Sequence, residues 1–123
     1  MKKSIVIIED DENIANAEKL ILEEMFNARI HVVKSGEEGL QFVKKLRPML
    51  VILDLMLPGM SGLEVCRRIR EDNQIRNTKV IMVTAKNQPI DELKGIEVGA
   101  DDYIMKPFEI DELKHVVAQV LNS

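Results

Sequence analysis

Met49-Leu50-Val51-Ile52-Leu53-Asp54-Leu55-Met56-Leu57 sets one carboxylic acid into an otherwise unbroken apolar run. The residues from Leu50 to Leu53 read as a strand covered on both faces. An unpaired buried carboxylate costs several kcal/mol, so Asp54 has to lie where the strand leaves the sheet, and it has to meet a partner there. Outward from this run, similar short segments occur at Ser4 to Ile8, Arg29 to Val33, Val80 to Thr84 and Asp102 to Met105, with amphipathic segments between them. Strand-helix repeated five times implies a parallel sheet with helices on both faces, because each crossover lays a helix over one side or the other. Five strands fit the doubly wound order 2-1-3-4-5, the flavodoxin-like α/β arrangement, flanked by five helices.

In sheets of this order, ligands bind beyond the carboxyl ends of the strands where the order reverses, here between the first and third. Ile7 and Ile8 give way there to Glu9 and Asp10, and Asp54 follows the third strand. If these carboxylates converge at about 4 Å, each pair repels by roughly 4 kcal/mol at an effective dielectric near 20. A positive charge must sit among them. Oxygen-only donors suit a hard divalent cation, Mg²⁺ above all, which accepts one or two carboxylates and fills its other positions with water and phosphate oxygens. Thr84 and Lys106 end the fourth and fifth strands, and a hydroxyl and a cation at the same edge match the oxygens of a phosphoryl group. Asp54 is then the candidate nucleophile, since an aspartate carboxylate that attacks phosphorus gives an acyl phosphate. Taken singly, most of these residues have an ordinary explanation. An acid after a strand commonly caps a helix, as Asp10 or Asp11 would, and a strand threonine or a surface lysine is commonplace. Capping does not explain an acid with nonpolar neighbours on both sides, which sets Asp54 apart.

Helix boundaries are marked by local chemistry. Between Asn13 and Met25, the apolar residues Ile14, Ala17, Ile21 and Met25 recur three or four apart and predict one helical face. Ser35 with Glu38, and Ser61 with Glu64, have the spacing at which the two side chains satisfy one another's orphan amides, and predict the starts of the second and third helices. A fourth helix is predicted over Pro89 to Val98, with Gly99 just past its end, and a fifth from Glu109 to Leu121 with Leu113, Val117 and Val120 inward.

The 123 residues are enough for one core and too few for two ordinary domains, so residues 1–123 are expected to form a single unit. With 46% hydrophobic and 31% charged residues the composition is that of a globular protein, far from a disordered chain. A net charge of −4 gives no reason to expect direct nucleic-acid or membrane contact. The acids Glu9 to Glu12 break the apolar stretch a signal peptide needs, no long apolar span occurs, and a lone Cys66 can form no internal disulfide. A cytoplasmic location is expected.

Four segments together resemble the receiver domains of two-component response regulators: Glu9-Asp10-Asp11, Leu53 to Gly62 (LDLMLPGMSG), Val83-Thr84-Ala85, and Gly99 to Phe108 (GADDYIMKPF). The resemblance spans essentially the whole chain. It implies a phosphorylation-controlled switch in which Asp54 is the phosphoacceptor, Asp10 a direct Mg²⁺ ligand, Glu9 a ligand through water and Met56 a ligand through its carbonyl. It implies too that Lys106 pairs with the phosphoryl oxygens, that the Lys106-Pro107 bond is cis, and that Thr84 and Tyr103 move together to change the surface of the fourth helix, fifth strand and fifth helix. Met56 and Lys86 are the positions at which the family tunes phosphoryl lifetime. The implied partners are a sensor histidine kinase or phosphotransfer protein, an output domain or target, and a second copy joined through that same surface. The closest motifs are those of receivers that carry a winged-helix DNA-binding domain, with two departures: Val116 stands where an arginine is usual, and Glu92 where a base is usual. Both take partners out of that subfamily's dimer contacts. The sequence stops soon after the last predicted helix, so a stand-alone receiver and a piece of a longer regulator are both open.

Arg67, Arg68 and Arg70 are interleaved with Glu64, Glu71 and Asp72 and read as a solvated helix face. His31 and His115 read as structural, and Cys66 as a small buried residue. Rival functions fit the motifs less well. A flavin module of the same strand order needs a Gly, Ser and Thr loop for phosphate where this chain has four acids. A phosphatase working through an aspartyl phosphate wants a second carboxylate two residues after the nucleophile, the place of Met56. A receiver-like module that only binds partners would have no use for the intact acidic edge.

Overall fold

A computed structural model describes residues 3–85 and 98–122. The elements run β1 (Lys3–Ile8), α1 (Glu12–Met25), β2 (Ala28–Val33), α2 (Gly36–Leu46), β3 (Leu50–Asp54), α3 (Gly62–Glu71), β4 (Lys79–Ala85), β5 (Asp102–Lys106) and α4 (Ile110–Leu121). The helix α4 is the one expected as the fifth. The expected fourth helix over Pro89 to Val98 falls almost wholly outside the described residues, as do Lys86 and Glu92.

All strand pairings are parallel and the sheet order is β2-β1-β3-β4-β5, as expected. Successive side chains of a strand point to opposite faces, so β1, β3 and β4 feed two separate cores. Val6, Ile8, Val51, Leu53, Val80 and Met82 join Leu40 and Val43 of α2 and Val65, Cys66 and Ile69 of α3. On the other face Ile5, Ile7, Ile52, Ile81 and Val83 join Ala15, Ile21 and Leu22 of α1 and Leu113, Val117 and Val120 of α4. Cys66 is the small buried residue expected, and burial pushes its thiol up to about 11, which keeps it unreactive.

Three local readings need correction. Of the expected face of α1, Ile21 is buried and Met25 packs on the core, but Ala15, Glu18 and Leu22 complete the buried face in place of Ile14 and Ala17. Ile14 and Ala17 instead line a hollow of about 250 Å³ with Pro107 and Phe108, so the helix has two apolar faces and the expected stripe runs from the outer one into the core. Ser35 and Ser61 do cap α2 and α3, accepting from Glu38 N and Glu64 N at 3.3 Å each, but the return bonds are diverted. The Glu38 carboxylate lies 3.4 Å from the Ser35 hydroxyl, and Glu64 turns to Arg67 and Arg68 because a guanidinium outcompetes a neutral amide for a carboxylate. Arg70, finally, is no solvated residue. It donates to Gly99 O (2.7 Å), Thr78 O (2.6 Å) and Asp101 Oδ2 (2.8 Å), clamping α3 to the turns around β4.

Candidate active site

The register brings the chemically equipped strand ends to one corner. Ile8 pairs with Leu53, Asp54 with Val83, and Ala85 with Lys106, so Glu9, Asp54, Thr84 and Lys106 leave the sheet side by side. Carboxylate oxygens of Glu9, Asp10 and Asp54 all lie within 4.8 Å of one another. Lys106 Nζ stands 3.0 Å from Glu9 Oε1 and 3.2 Å from Asp54 Oδ2. The positive charge that the sequence demanded is therefore in place.

Burial sets the electrostatics. Glu9 and Asp54 are 2% and 4% exposed, while Asp10 faces solvent. Desolvation, reinforced by the adjacent Asp54 carboxylate, pushes Glu9 up to about 7. Burial opposes the charge of Lys106, but Glu9 and Asp54 outweigh it and hold the ammonium above its ordinary range.

Backbone turns fix these groups. Asp11 N donates to Glu9 Oε2 at 3.1 Å, and the Asp11 carboxylate caps α1 through Asn13 N and Ile14 N, so Asp11 has the ordinary capping role and Asp10 the unusual one. After β3, Met56 N donates to Asp54 Oδ1 at 3.1 Å and Leu55 N to Val83 O at 2.8 Å. At Gly62, in the first turn of α3, a Cβ would lie 2.3 Å from the Asp54 carbonyl oxygen, so the helix can seat against the acceptor strand only with glycine there. The Met56 side chain is 61% exposed beside the cluster. The Lys106-Pro107 bond is cis.

Thr84 is buried at the end of β4, and its hydroxyl has no hydrogen-bond partner among the described residues. Met82 pairs with Tyr103 and Thr84 with Met105, so by strand alternation Thr84 and Tyr103 belong to the same face of the sheet, where half-buried Tyr103 packs on the α2/α3 core. Lys86 lies outside the described residues. His31 is on β2, its ring tilted against Phe42 with centroids 6.0 Å apart, and His115 is exposed on α4, so neither joins the site.

Sequence reasoning missed Glu18. It is fully buried on the inner face of α1, neither carboxylate oxygen has a hydrogen-bond partner among the described residues, and burial followed by the charge of Glu9 pushes it up to about 8. The signal was present in the spacing Ala15, Glu18, Leu22, which is a helical stripe with an acid in it.

The model of the response regulator receiver domain matches residues 5–118. The chain belongs to that family. It is 44% identical to the DNA-binding response regulator MtrA of Mycobacterium tuberculosis over 114 residues, 92% of this chain and 48% of that protein. The chain thus spans about half the length of such curated relatives. A putative response regulator from Chloroflexus aurantiacus superposes with a TM-score of 0.93 at 32% identity, each chain covered in full. The receiver domain of sensor histidine kinase PA1611 from Pseudomonas aeruginosa, solved with a magnesium ion in its active-site cleft, shares the fold at a TM-score of 0.88 and 24% identity, covering both chains in full. Response regulator receivers are phosphorylation-controlled switches of two-component systems, not enzymes in the usual sense, and they work with histidine kinases. No helix among the described residues is long and apolar enough to cross a membrane.

Proposed function

We propose that this receiver, a single domain over residues 1–123, takes a phosphoryl group on Asp54 in a reaction that requires Mg²⁺. One observation carries the reading: three carboxylates share a space less than 5 Å across, with Lys106 reaching two of them. The donor set fits the cation. It is all oxygen, it has two buried acids and one exposed, and it carries more negative charge than Lys106 neutralises. Glu9, Asp10, Asp54 and the Met56 carbonyl would hold Mg²⁺, whose contribution when bound is to neutralise the charge on the acids and on the phosphoryl oxygens.

The chain's own groups do the rest. An Asp54 oxygen forms the new bond to phosphorus while the bond from phosphorus to the donor's imidazole nitrogen breaks, and the imidazole leaves with its electron pair and takes up a proton. Lys106, already beside Asp54, follows the phosphoryl oxygens, and the buried Thr84 hydroxyl gains the partner it lacks. Tyr103, on the same face, responds to that move and alters the surface of β5 and α4, a shift between two states that phosphate biases by binding one of them better. Water attack on the acyl phosphate resets the switch, at a rate set partly by Met56, two residues after Asp54 in the sequence, and by Lys86, two residues after Thr84. The apolar hollow formed by Ile14, Ala17, Pro107 and Phe108 next to Lys106 suits the docking of a kinase or phosphotransfer helix that presents phosphohistidine. By likeness to MtrA, a DNA-binding response regulator, the domain governs a DNA-binding output; a cytoplasmic location and a phosphorylation-dependent homodimer through the expected fourth helix, β5 and α4 belong to the same proposal. The domain itself makes no direct nucleic-acid or membrane contact.

The test is incubation with a small phosphodonor and Mg²⁺, read by intact mass. One phosphoryl group should be added to the unmodified protein and none to Asp54→Asn or after chelation of the cation. Beryllofluoride with Mg²⁺ should move the NMR signals of Thr84 and Tyr103. An unmodified protein that gains no mass and shows no shift would leave only a partner-binding module.

A further inference from the structure

Glu37 sits in the first turn of α2, where the helix N-terminus favours an acid. Its carboxylate has a second task. Oε1 accepts a hydrogen bond from Met60 N at 2.7 Å, across 23 residues, in the loop that joins β3 to α3. The loop is shaped to receive it. Gly59 has φ +74°, a left-handed conformation that strains residues with side chains, and a Cβ there would stand 2.8 Å from Glu37 Oε1 and 3.0 Å from Oε2. At Gly36, a Cβ would meet the Met60 carbonyl oxygen at 2.5 Å. The two glycines let α2 and the loop approach closely, and the Glu37 carboxylate is the polar tie between them.

The other end of the same loop belongs to the phosphoacceptor. Met56 N is bonded to Asp54 Oδ1, Gly62 N to Leu55 O at 3.0 Å, and Leu57 and Met60 pack on the core. Only Leu57, Pro58 and Gly59 separate Met56 from the tied amide of Met60. We propose that Glu37 is a positioning residue for the phosphorylation site, holding the far end of this loop so that the backbone at Met56 stays where a cation on the acidic rim needs it. This rests on reading Asp54 as a Mg²⁺-dependent phosphoacceptor. The physical ground is that Mg²⁺ requires near-ideal octahedral geometry at about 2.0–2.1 Å, so a donor carried on a loose backbone loses affinity although no ligand has been removed.

Removal of the tie is separable from removal of a charge. Glu37→Ala loses both. Glu37→Gln loses only the charge, because its amide oxygen still accepts from Met60 N. Glu38→Ala removes an equally exposed acid one residue away that bonds Ser35 and not the loop. In a MgCl₂ titration followed by the amide signals of Asp54 to Ser61, Glu37→Ala should bind about tenfold more weakly, in the range found for outer partners of metal sites. Glu37→Gln and Glu38→Ala should stay near the unmodified protein. Without any cation, the Met60 amide should lose hydrogen-exchange protection in Glu37→Ala alone. The residue is exposed, so the fold should survive each change, and a urea melt of every variant checks it. Unchanged Mg²⁺ affinity in folded Glu37→Ala overturns the proposal, as does an equal weakening in Glu37→Gln or Glu38→Ala. If the unmodified protein binds no Mg²⁺, the phosphoacceptor reading itself fails and the role of Glu37 goes with it.

Discussion

Two groups of charges in this molecule are built from the same side chains and behave in opposite ways. On the outer face of α3, Glu64 and Glu71 meet Arg67 and Arg68, acids and bases in equal number, in contact with water. At the rim, Glu9, Asp10 and Asp54 stand together with Glu18 close enough to feel Glu9, Lys106 pairs with Glu9 and Asp54 alone, and three of the four acids are buried. The first group is balanced where screening is strong, so its ion pairs add little to stability. The second carries surplus negative charge in a medium that magnifies it, and among the described residues Lys106 alone pairs with it. A fold keeps such an arrangement at a loss of stability when something from outside completes it. On the function proposed above, that completion is a cation and a phosphoryl group.

Glu18 should give the largest effect in this comparison. Its native value of about 8 lies above the ordinary 4.5, chiefly through burial, then through Glu9 and with a smaller push from Asp54, while Lys106 opposes. The sign follows from linkage. Below pH 4.5 the folded and unfolded chains both hold the proton. Between 4.5 and 8 the unfolded chain releases it and the folded one keeps it, so stability falls as pH rises and levels off above 8. At about 1.4 kcal/mol per unit the span is on the order of 5 kcal/mol. Glu18→Leu removes the group, so urea melts at pH 5 and pH 8 should show a gain over the unmodified protein that is much larger at pH 8. Glu9 slopes the same way in both proteins and cancels in the difference apart from its coupling to Glu18. An equal gain at the two pH values would mean that Glu18 is solvated in solution.

Lys106 comes next. Lys106→Met strips the rim of its internal cation and leaves Glu9 facing Asp54, which should lower stability by about 2 kcal/mol, less than for a fully buried pair because the lysine keeps some contact with water. Mg²⁺ should restore more stability to this variant than to the unmodified protein, since no ammonium competes for the carboxylates. Phosphoryl transfer from a small donor should still be slower, because the phosphoryl oxygens lose their partner. Melts with and without MgCl₂, beside the rate of mass gain, separate the two effects, and a variant that Mg²⁺ stabilises no better than the unmodified protein would show that Lys106 does not hold the cation's place.

The sequence was most informative where burial leaves a residue no choice. Each of the five strands was expected to within a residue at either end; the inner strands β1, β3 and β4 are the clearest, because parallel strands covered on both faces are apolar almost throughout, and for the same reason Asp54 stood out inside its run. Lys106 and Thr84 were legible only through the strand order, which made neighbours of positions far apart in the chain. Helix faces were harder to read. The segment holding Ile14, Ala17, Leu20, Ile21 and Met25 has more apolar residues than one face can bury, and the face that enters the core is the one that carries Glu18. The stripe of Ala15, Glu18 and Leu22 marks the position, but no local rule predicts that an acid stays buried there, since its environment is made by Glu9 and Lys106 from other elements. The tie from Glu37 to Met60 was hidden for a similar reason: an acid in a first turn already has an explanation in the helix N-terminus.

The smallest effects should come from α3. In Arg67→Ala, Glu71 returns to water and Glu64 keeps Arg68 at 2.8 Å, so no charge is stranded in a dry place. The change in a urea midpoint should be close to the error of the measurement, and raising the salt should erase what remains. Arg70→Ala, three residues along the same helix, removes donors to two buried-side carbonyls and the partner of Asp101, and should cost clearly more. If Arg67→Ala proved the more damaging of the two, exposure would be the wrong basis for dividing the charges of this molecule, and the surplus at the rim would lose its force as a sign of function.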